Sequence, residues 1–273
     1  MKSNPVDKEK LVDRKAIYAL RHIPNLRVIA MGDSSVFGVG DHGDAIPSVG
    51  AGWAGRLSHD LNASRFINVA KNGSRARHLL KYQLSAAEAF NPDLVLICVG
   101  TNDVLRGDFS PAEIKESLSQ VVNQLSASKS VIVLLGLPNP MRTAPGPESL
   151  RKILSARVAI INKIYSEIAT GNQIYFIPTW DSKIAHERKL WHIDRMHPSA
   201  LGHQHIADLV RRKMELPRRS AKKLPTKIDI TKRDETKWLI TNGAKWFAKR
   251  SVDLIPALIW LVVSEKFRAQ KKN

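Results

Sequence analysis

A loop that follows the first predicted strand contains residues suited to nucleophilic chemistry. The apolar stretch 26–31 predicts a strand, and Gly32-Asp33-Ser34 follows it directly. A serine at a strand-to-helix turn presents its hydroxyl at the sheet edge, where free backbone N–H groups favour negative charge. These residues suit a serine nucleophile, although the same tripeptide also forms ordinary turns.

A second candidate segment, Asp194-Arg195-Met196-His197, lies late in the chain. A general base needs an imidazole held in one orientation, and a carboxylate on its other ring nitrogen supplies that orientation. Asp194 can reach the ring of His197 across one turn of the chain. Taken alone, the segment also fits a solvated loop.

Two further loops contain groups that can stabilise an oxyanion. Asn102 follows the buried apolar stretch 94–99, and its side-chain amide can donate. Gly73 follows the predicted strand 66–70, and a glycine allows the backbone to turn its N–H towards the same point. Donors of this kind typically contribute about 3 kcal/mol each to lowering the barrier.

Alternating strand and helix patterns along residues 26–214 predict the elements that bring these loops together. Continuous apolar runs such as LVLICV and SVIVLL are typical of strands buried on both faces of a parallel sheet. The alternation predicts a flavodoxin-like, three-layer α/β/α fold with a five-stranded parallel sheet. Sites in such sheets lie at the carboxyl ends of the strands, where all of these loops begin or converge.

In this order, the segments resemble the blocks of the SGNH/GDSL hydrolase family of esterases and lipases. The matching segments are MGDSSVFG, NVAKNG, GTND and DRMH, within residues 26–215. The resemblance implies a catalytic triad of Ser34, Asp194 and His197 and an oxyanion hole made by the Ser34 N–H, the Gly73 N–H and the Asn102 side chain. Ser35 and Ala70 depart from common family residues, but no required polar group is missing.

The resemblance implies hydrolysis of carboxylic esters through an acyl-enzyme, without a metal or other cofactor. Lysophospholipids or other acyl esters are the leading substrate class. Carbohydrate O-deacetylation and acyl transfer are alternatives within this fold, and a membrane-associated interaction protein without turnover is an alternative of another class. Asp41, His42 and Asp44 either border the substrate pocket or are ordinary turn residues.

Positive charge is concentrated at the carboxyl end of the chain. The net charge is +18, and residues 217–273 carry fifteen Lys and Arg against five Asp and Glu. The tryptophan-rich stretch 236–268 predicts an amphipathic arm that either binds an anionic membrane or packs onto the domain or a second subunit. No recognisable nucleic-acid-binding motif accompanies this charge, which disfavours a nucleic-acid partner.

These observations predict three regions: an N-terminal arm at residues 1–25, a hydrolase domain at 26–216 and a basic, helical C-terminal extension at 217–273. The amino terminus lacks the apolar core of a secretory signal. The longest apolar run, 254–263, is about half the length needed to span a bilayer. These features favour the cytoplasm, with peripheral attachment to a membrane as a further expectation.

Overall fold

A five-stranded parallel sheet forms the centre of the fold. The computed structural model describes residues 14–41, 52–141, 147–169 and 173–226, together with residue 233. The strands are β1 (Arg27–Gly32), β2 (Arg65–Asn68), β3 (Leu94–Cys98), β4 (Val131–Leu135) and β5 (Ile174–Ile177). All residues of β3 and β4 are buried, as expected for apolar strands covered on both faces. The predicted parallel sheet is confirmed.

Helices cover both faces of this sheet. The α-helices of the described residues are α1 (Arg14–His22), α2 (Ser34–Phe37), α3 (Gly52–Asp60), α4 (Ala76–His78), α5 (Leu84–Phe90), α6 (Thr101–Val104), α7 (Pro111–Ala127), α8 (Glu148–Ile168) and α9 (Ala200–Lys213). Helix α3 packs against α9, whereas α4, α5 and α8 pack against α7. The two groups of helices form the outer layers of the α/β/α arrangement.

The direction in which strands are added to the sheet reverses at β1. The strand order is β2-β1-β3-β4-β5, so the chain first passes to one side of β1 and then returns to the other. Loops that leave the carboxyl ends of β1 and β3 therefore diverge and leave a crevice between them. Gly32 at the end of β1 pairs with Cys98 at the end of β3, so the loops that contain Ser34 and Asn102 start side by side.

The sequence pattern over residues 75–89 predicts a single helix after β2, and the structure differs from this prediction. Helix α4 continues as a π-helix at Leu79–Gln83 before α5 begins. A π-helical turn takes more residues than an α-helical turn, and such turns are frequent near functional sites. The apolar periodicity does not reveal the π-helix, because the flanking turns keep helical spacing.

Buried polar side chains on α8 satisfy backbone groups where the central strands end. The Tyr165 hydroxyl accepts from the Val99 N–H at 2.9 Å and donates to the Val99 carbonyl at 2.8 Å. The Asn162 amide pairs in the same way with the N–H and carbonyl of Leu137, each at 2.8 Å. Because unpaired buried backbone groups are costly, these contacts fix the carboxyl edge of the sheet.

The described parts of the two predicted end regions lie against the domain. Leu20 of α1 is buried in the core. Arg218 forms an ion pair with the buried Asp60, and Arg219 donates to the carbonyl of Ile23, just after α1, at 3.0 Å and to that of Leu20, within α1, at 3.5 Å. Residues 217–226 therefore contact both α1 and α3.

The remaining parts of those regions, residues 1–13 and most of the extension with the amphipathic stretch 236–268, lie outside the described residues. In the ranges that the structure describes, no helix has both the length and the apolar character needed to cross a bilayer.

Candidate active site

Ser34 lies just beyond β1, as the first residue of the short helix α2. The chain enters this turn through Gly32, which has a φ of +150° and where a Cβ would lie 2.0 Å from the Cys98 carbonyl oxygen. Asp33 caps the helix, because its Oδ1 accepts from the Ser35 N–H at 3.0 Å and from the Ser35 hydroxyl at 2.8 Å. The Asp33 carboxyl thus holds the turn that presents Ser34.

His197 lies within hydrogen-bond distance of Ser34 across the crevice. Its Nε2 is 2.8 Å from Ser34 Oγ, and its Nδ1 is 2.8 Å from Asp194 Oδ2. The other carboxylate oxygen of Asp194 accepts from the N–H groups of Met196 and His197 at 2.9 Å and 3.0 Å. The carboxylate both folds its own loop and orients the ring, so Ser34, His197 and Asp194 lie in one hydrogen-bonded row.

Asp194 Oδ2 has a second imidazole beside it, because His192 Nδ1 lies 3.3 Å away. Burial opposes ionisation of the Asp194 carboxyl, but the interactions with His192 and His197 outweigh it and hold the pKa of Asp194 well below its usual range. Asp194 is therefore ionised at neutral pH and can stabilise a positive charge on His197. Sequence reasoning missed the contact with His192, for which the only signal was its position two residues before Asp194.

The structure brings the two predicted oxyanion loops into contact. Asn102 Nδ2 donates to the carbonyl of Ser74 at 3.0 Å, which places the amide beside Gly73. Gly73 has a φ of +80°, and a Cβ there would meet no atom within 4 Å, so its backbone conformation and not a lack of space favours glycine. Among the described residues, no acceptor pairs with the N–H of Ser34 or of Gly73. The Asn102 side-chain amide has two N–H groups, and only one of them donates to the Ser74 carbonyl.

A buried carboxylate joins the loop of Asn102 to the loop of Gly73. Asp103 Oδ1 accepts from Arg75 Nε at 3.2 Å, and Oδ2 accepts from the Ala76 N–H at 3.1 Å. Burial raises the pKa of Asp103, and the hydrogen bonds from Arg75 and Ala76 oppose this rise. Sequence reasoning missed this pair, because Arg75 and Asp103 are 28 residues apart and no local pattern connects them.

The loop after α2 contacts the loop that contains His197. Gly40 has a φ of +91°, and a Cβ there would lie 2.2 Å from the Pro198 carbonyl oxygen. The next residue, Asp41, forms an ion pair with Arg56 at 2.7 Å, and each of these side chains is only 1% exposed. Asp41 therefore fixes the loop, which agrees with a structural role and not with a position on the pocket wall.

Other titratable residues near the site have structural partners or lie outside the described residues. His203 Nδ1 accepts from the Trp53 N–H at 3.1 Å, and Nε2 lies 3.0 Å from the Val39 carbonyl oxygen. Burial lowers the pKa of His203 to about 4, so this ring is neutral. His42 and Asp44 are outside the described residues. Within the part of the chain that is described, no three His, Cys, Asp or Glu side chains group together as metal ligands.

An apolar cavity of about 190 Å³ lies next to the serine and histidine loops. Its wall includes Ser35, which follows Ser34, and Met196, which precedes His197. The rest of the wall is mainly aliphatic and includes Leu105, Leu137, Leu150, Leu154 and Val158. A cavity with this lining suits a hydrocarbon group and offers few polar partners.

The chain has a three-layer α/β/α fold, and the four loops predicted from the sequence converge where its strand order reverses. The sequence matches the profile of the GDSL-like Lipase/Acylhydrolase family over residues 30–205. The chain belongs to this family, which is also called SGNH, and it is a carboxylic ester hydrolase. A comparison with curated proteins finds no match.

Solved structures with a similar fold include several esterases and lipases. The lipase Lip_vut3 from a goat rumen metagenome is 20% identical, with a TM-score of 0.55 and coverage of 71% of this chain and 99% of that chain. The acetylxylan esterase Axe2 from Geobacillus stearothermophilus is 19% identical, with a TM-score of 0.55 and coverage of 72% and 97%. The lipase/acylhydrolase from Enterococcus faecalis is 18% identical, with a TM-score of 0.54 and coverage of 70% and 95%. At these identities the comparison establishes the shared fold.

Proposed function

We propose that Ser34, His197 and Asp194 form the catalytic triad of this ester hydrolase. The observation that carries the proposal is the continuous row of two 2.8 Å contacts, from Ser34 Oγ through the His197 ring to Asp194 Oδ2. An imidazole between a hydroxyl and an ionised carboxylate can accept the hydroxyl proton while the carboxylate stabilises the resulting imidazolium.

In the acylation half of the reaction, Ser34 Oγ attacks the ester carbonyl carbon and His197 Nε2 takes the hydroxyl proton. The carbonyl oxygen becomes an oxyanion, which accepts from the N–H groups of Ser34 and Gly73 and from the Asn102 amide. As the tetrahedral intermediate breaks down, the C–O bond to the alcohol cleaves. His197 returns its proton to the departing oxygen, which leaves an acyl group on Ser34.

In the deacylation half, water takes the place of the alcohol. His197 accepts a proton from this water as its oxygen attacks the acyl carbon, and the same three donors stabilise the second oxyanion. Cleavage of the bond to Ser34 Oγ releases the carboxylic acid, and His197 returns the proton to the serine. The cycle needs no redox partner, because hydrolysis is balanced by one water.

The apolar cavity supports esters whose acyl group is longer than acetyl, such as lysophospholipids and other acyl esters. Its wall includes Ser35 and Met196, the chain neighbours of Ser34 and His197, which supports a place for the acyl chain beside the reacting centre. Burial of each methylene contributes about 0.8 kcal/mol, whereas an acetyl group would leave most of the cavity without contacts. Carbohydrate O-deacetylation is the second candidate, because Axe2, of similar fold, is described as an acetylxylan esterase.

A series of p-nitrophenyl esters from acetate to dodecanoate tests the substrate proposal. We expect kcat/KM to peak at a chain longer than acetate. Leu154→Phe, which narrows the cavity, should move the optimum to shorter chains. Ile160→Phe is the matched control, because residue 160 lies on the same helix but is 38% exposed. An optimum at acetate in the unaltered protein would favour O-deacetylation. Normal turnover by Ser34→Ala with any ester would contradict the proposed triad.

We also propose that the enzyme works in the cytoplasm and that residues 236–268 attach it to an anionic membrane surface. Basic residues attract acidic lipids and tryptophans prefer the headgroup region. Because residues 217–226 contact the domain, the appropriate comparison is the full chain against a chain that ends at residue 226. Sedimentation of only the full chain with phosphatidylserine vesicles is expected. Equal sedimentation of the two would contradict a membrane role for residues 236–268.

A further inference from the structure

Gln83 links the turn of Ser34 to the loop of Gly73. Its side chain is only 1% exposed. Gln83 Oε1 accepts from the Gly32 N–H at 2.8 Å, and Nε2 donates to the Gly32 carbonyl at 2.9 Å. The same Nε2 donates to Ser74 Oγ at 3.3 Å, so a single buried amide holds both loops.

The π-helix places this amide at the end of β1. Gln83 is the last residue of the π-helix Leu79–Gln83, which packs against β1. The ladder between β1 and β2 ends at Ala30 and Asn68, two residues before Gly32. The side chain of Gln83 therefore provides hydrogen bonds to Gly32 on the side of β2, where the β1–β2 ladder has stopped and the Lys71 N–H also donates to the Gly32 carbonyl at 3.2 Å.

Each of the three proposed oxyanion donors lies close to this amide through short connections. Ser34 follows Gly32 by two residues, and Gly73 directly precedes Ser74. The Ser74 carbonyl in turn accepts from Asn102 Nδ2 at 3.0 Å. The donors come from three separate segments of the chain, and Gln83 and Ser74 join those segments.

We propose that Gln83 is a positioning residue that sets the spacing of the oxyanion hole. This inference rests on the proposed roles of Ser34, Gly73 and Asn102. Gln83 acts through Gly32 and Ser74 and does not contact the substrate. Because the donors stabilise the oxyanion of the transition state, a change in their spacing lowers kcat and leaves KM nearly unchanged.

Two substitutions of Gln83 test the inference. Gln83→Glu keeps the shape but removes the donating amide, and Gln83→Met removes all three hydrogen bonds without adding a charge. We expect kcat to fall about tenfold or more and KM to change less than about twofold, because a small misplacement of catalytic groups is costly. Affinity for a trifluoromethyl ketone, whose adduct with serine is a tetrahedral oxyanion, should fall by a factor similar to that of kcat/KM.

Ser74→Ala provides a milder variant that keeps the Ser74 carbonyl and removes only the contact at 3.3 Å. Its loss of kcat and of ketone affinity should be smaller than that of the Gln83 variants. If the Gln83 variants do not fold, Ser74→Ala tests the inference in their place. An affinity of Ser74→Ala for the ketone equal to that of the unaltered protein then overturns the inference.

Ser130→Ala is the control for a purely structural effect. It removes a buried hydrogen bond to the Pro92 carbonyl, 2.7 Å long, at the amino edge of the sheet. We expect it to lower Tm and leave kcat and ketone affinity unchanged. Gln83 variants that lower Tm in the same way but bind the ketone normally would show that Gln83 only supports the fold. Failure of the proposed function can be distinguished from failure of this inference, because in the former case Ser34→Ala would still hydrolyse the ester.

Discussion

The two sides of the proposed catalytic crevice are held in place by different kinds of contact. On the base side, Asp194 accepts from N–H groups two and three residues later, and the His192 N–H donates to the His197 carbonyl at 2.8 Å. On the oxyanion side, the ties are long-range, since Gln83 contacts Gly32 from 51 residues away. The loop of the proposed base is therefore built mainly by its own sequence, whereas the proposed oxyanion hole depends on assembly of the sheet.

This difference predicts different consequences of substitution on the two sides. A change in the base loop should remove proton transfer and leave the binding of a tetrahedral analogue partly intact. A change on the oxyanion side should weaken analogue binding and turnover together, even at a residue that never contacts the ester.

The largest effect is expected for His197→Ala, which removes the proposed base. We expect kcat for p-nitrophenyl butyrate to fall about 10⁴-fold or more, because Ser34 then lacks a proton acceptor. Steady-state kinetics measure the loss, and circular dichroism establishes that the variant is folded. A decrease of less than about tenfold would contradict the assignment of His197 as the base.

Asp194→Asn should have the next largest effect, with kcat falling about 10³-fold because the amide neither orients His197 correctly nor stabilises its charge. The substitution also tests the lowered pKa of Asp194. An aspartate whose pKa is lower in the folded state than in the unfolded state stabilises the fold at pH values above its unfolded-state pKa of about 3.9. This contribution is lost as the pH falls to the folded-state pKa.

Urea unfolding at several pH values measures that contribution. The unaltered protein should be more stable than Asp194→Asn at pH 7, and the difference in unfolding free energy should shrink below about pH 4. A difference that grows on acidification would contradict an ionised Asp194 in the folded state.

Asn102→Ala examines the oxyanion side directly. We expect kcat to fall about 10²-fold with little change in KM, because the side-chain amide stabilises charge that develops only in the transition state. Affinity for the trifluoromethyl ketone should decrease in parallel. A rise in KM with unchanged kcat would instead place Asn102 in ground-state binding.

Asp103→Asn should have the smallest effect, a decrease in kcat of about tenfold. The asparagine side chain keeps one oxygen that can accept from Arg75 or Ala76, so the substitution loosens the link between the two loops without removing it. Asp108→Asn is the matched control, since Asp108 also pairs with Arg75 but its side chain is 61% exposed. An exposed ion pair contributes little, so this control should retain full activity. Equal activity losses in the two variants would show that activity depends on neutralising the charge of Arg75 and not on the link between the loops through Asp103.

The sequence predicts the features that arise from contiguous residues. Continuous apolar runs identify strands such as β3 and β4, because a buried parallel strand needs apolar side chains on both faces. Ser34 and His197 are predicted from short segments, because the turn lies within a few residues of Ser34 and the orienting acid within a few residues of His197. The alternation of strands and helices then places both loops at the same edge of the sheet.

The long-range ties could not be predicted in the same way. Gln83 is a polar residue in a segment of helical periodicity, and nothing in that pattern indicates a π-helical turn or a buried amide. Arg75 and Asp103 are both charged, and charged residues are usually exposed. Their pairing is defined only after β1, β2 and β3 have assembled, since each partner is carried by a different strand-end loop.

Labelling with a fluorophosphonate tests the central claim most directly, because this reagent modifies a serine hydroxyl that an adjacent base activates. The account predicts one adduct per chain on the unaltered protein, mapped by peptide mass spectrometry to Ser34. It predicts no adduct on Ser34→Ala and greatly slowed labelling of His197→Ala. An adduct at another residue, or equal labelling of Ser34→Ala, would contradict the assignment of the nucleophile.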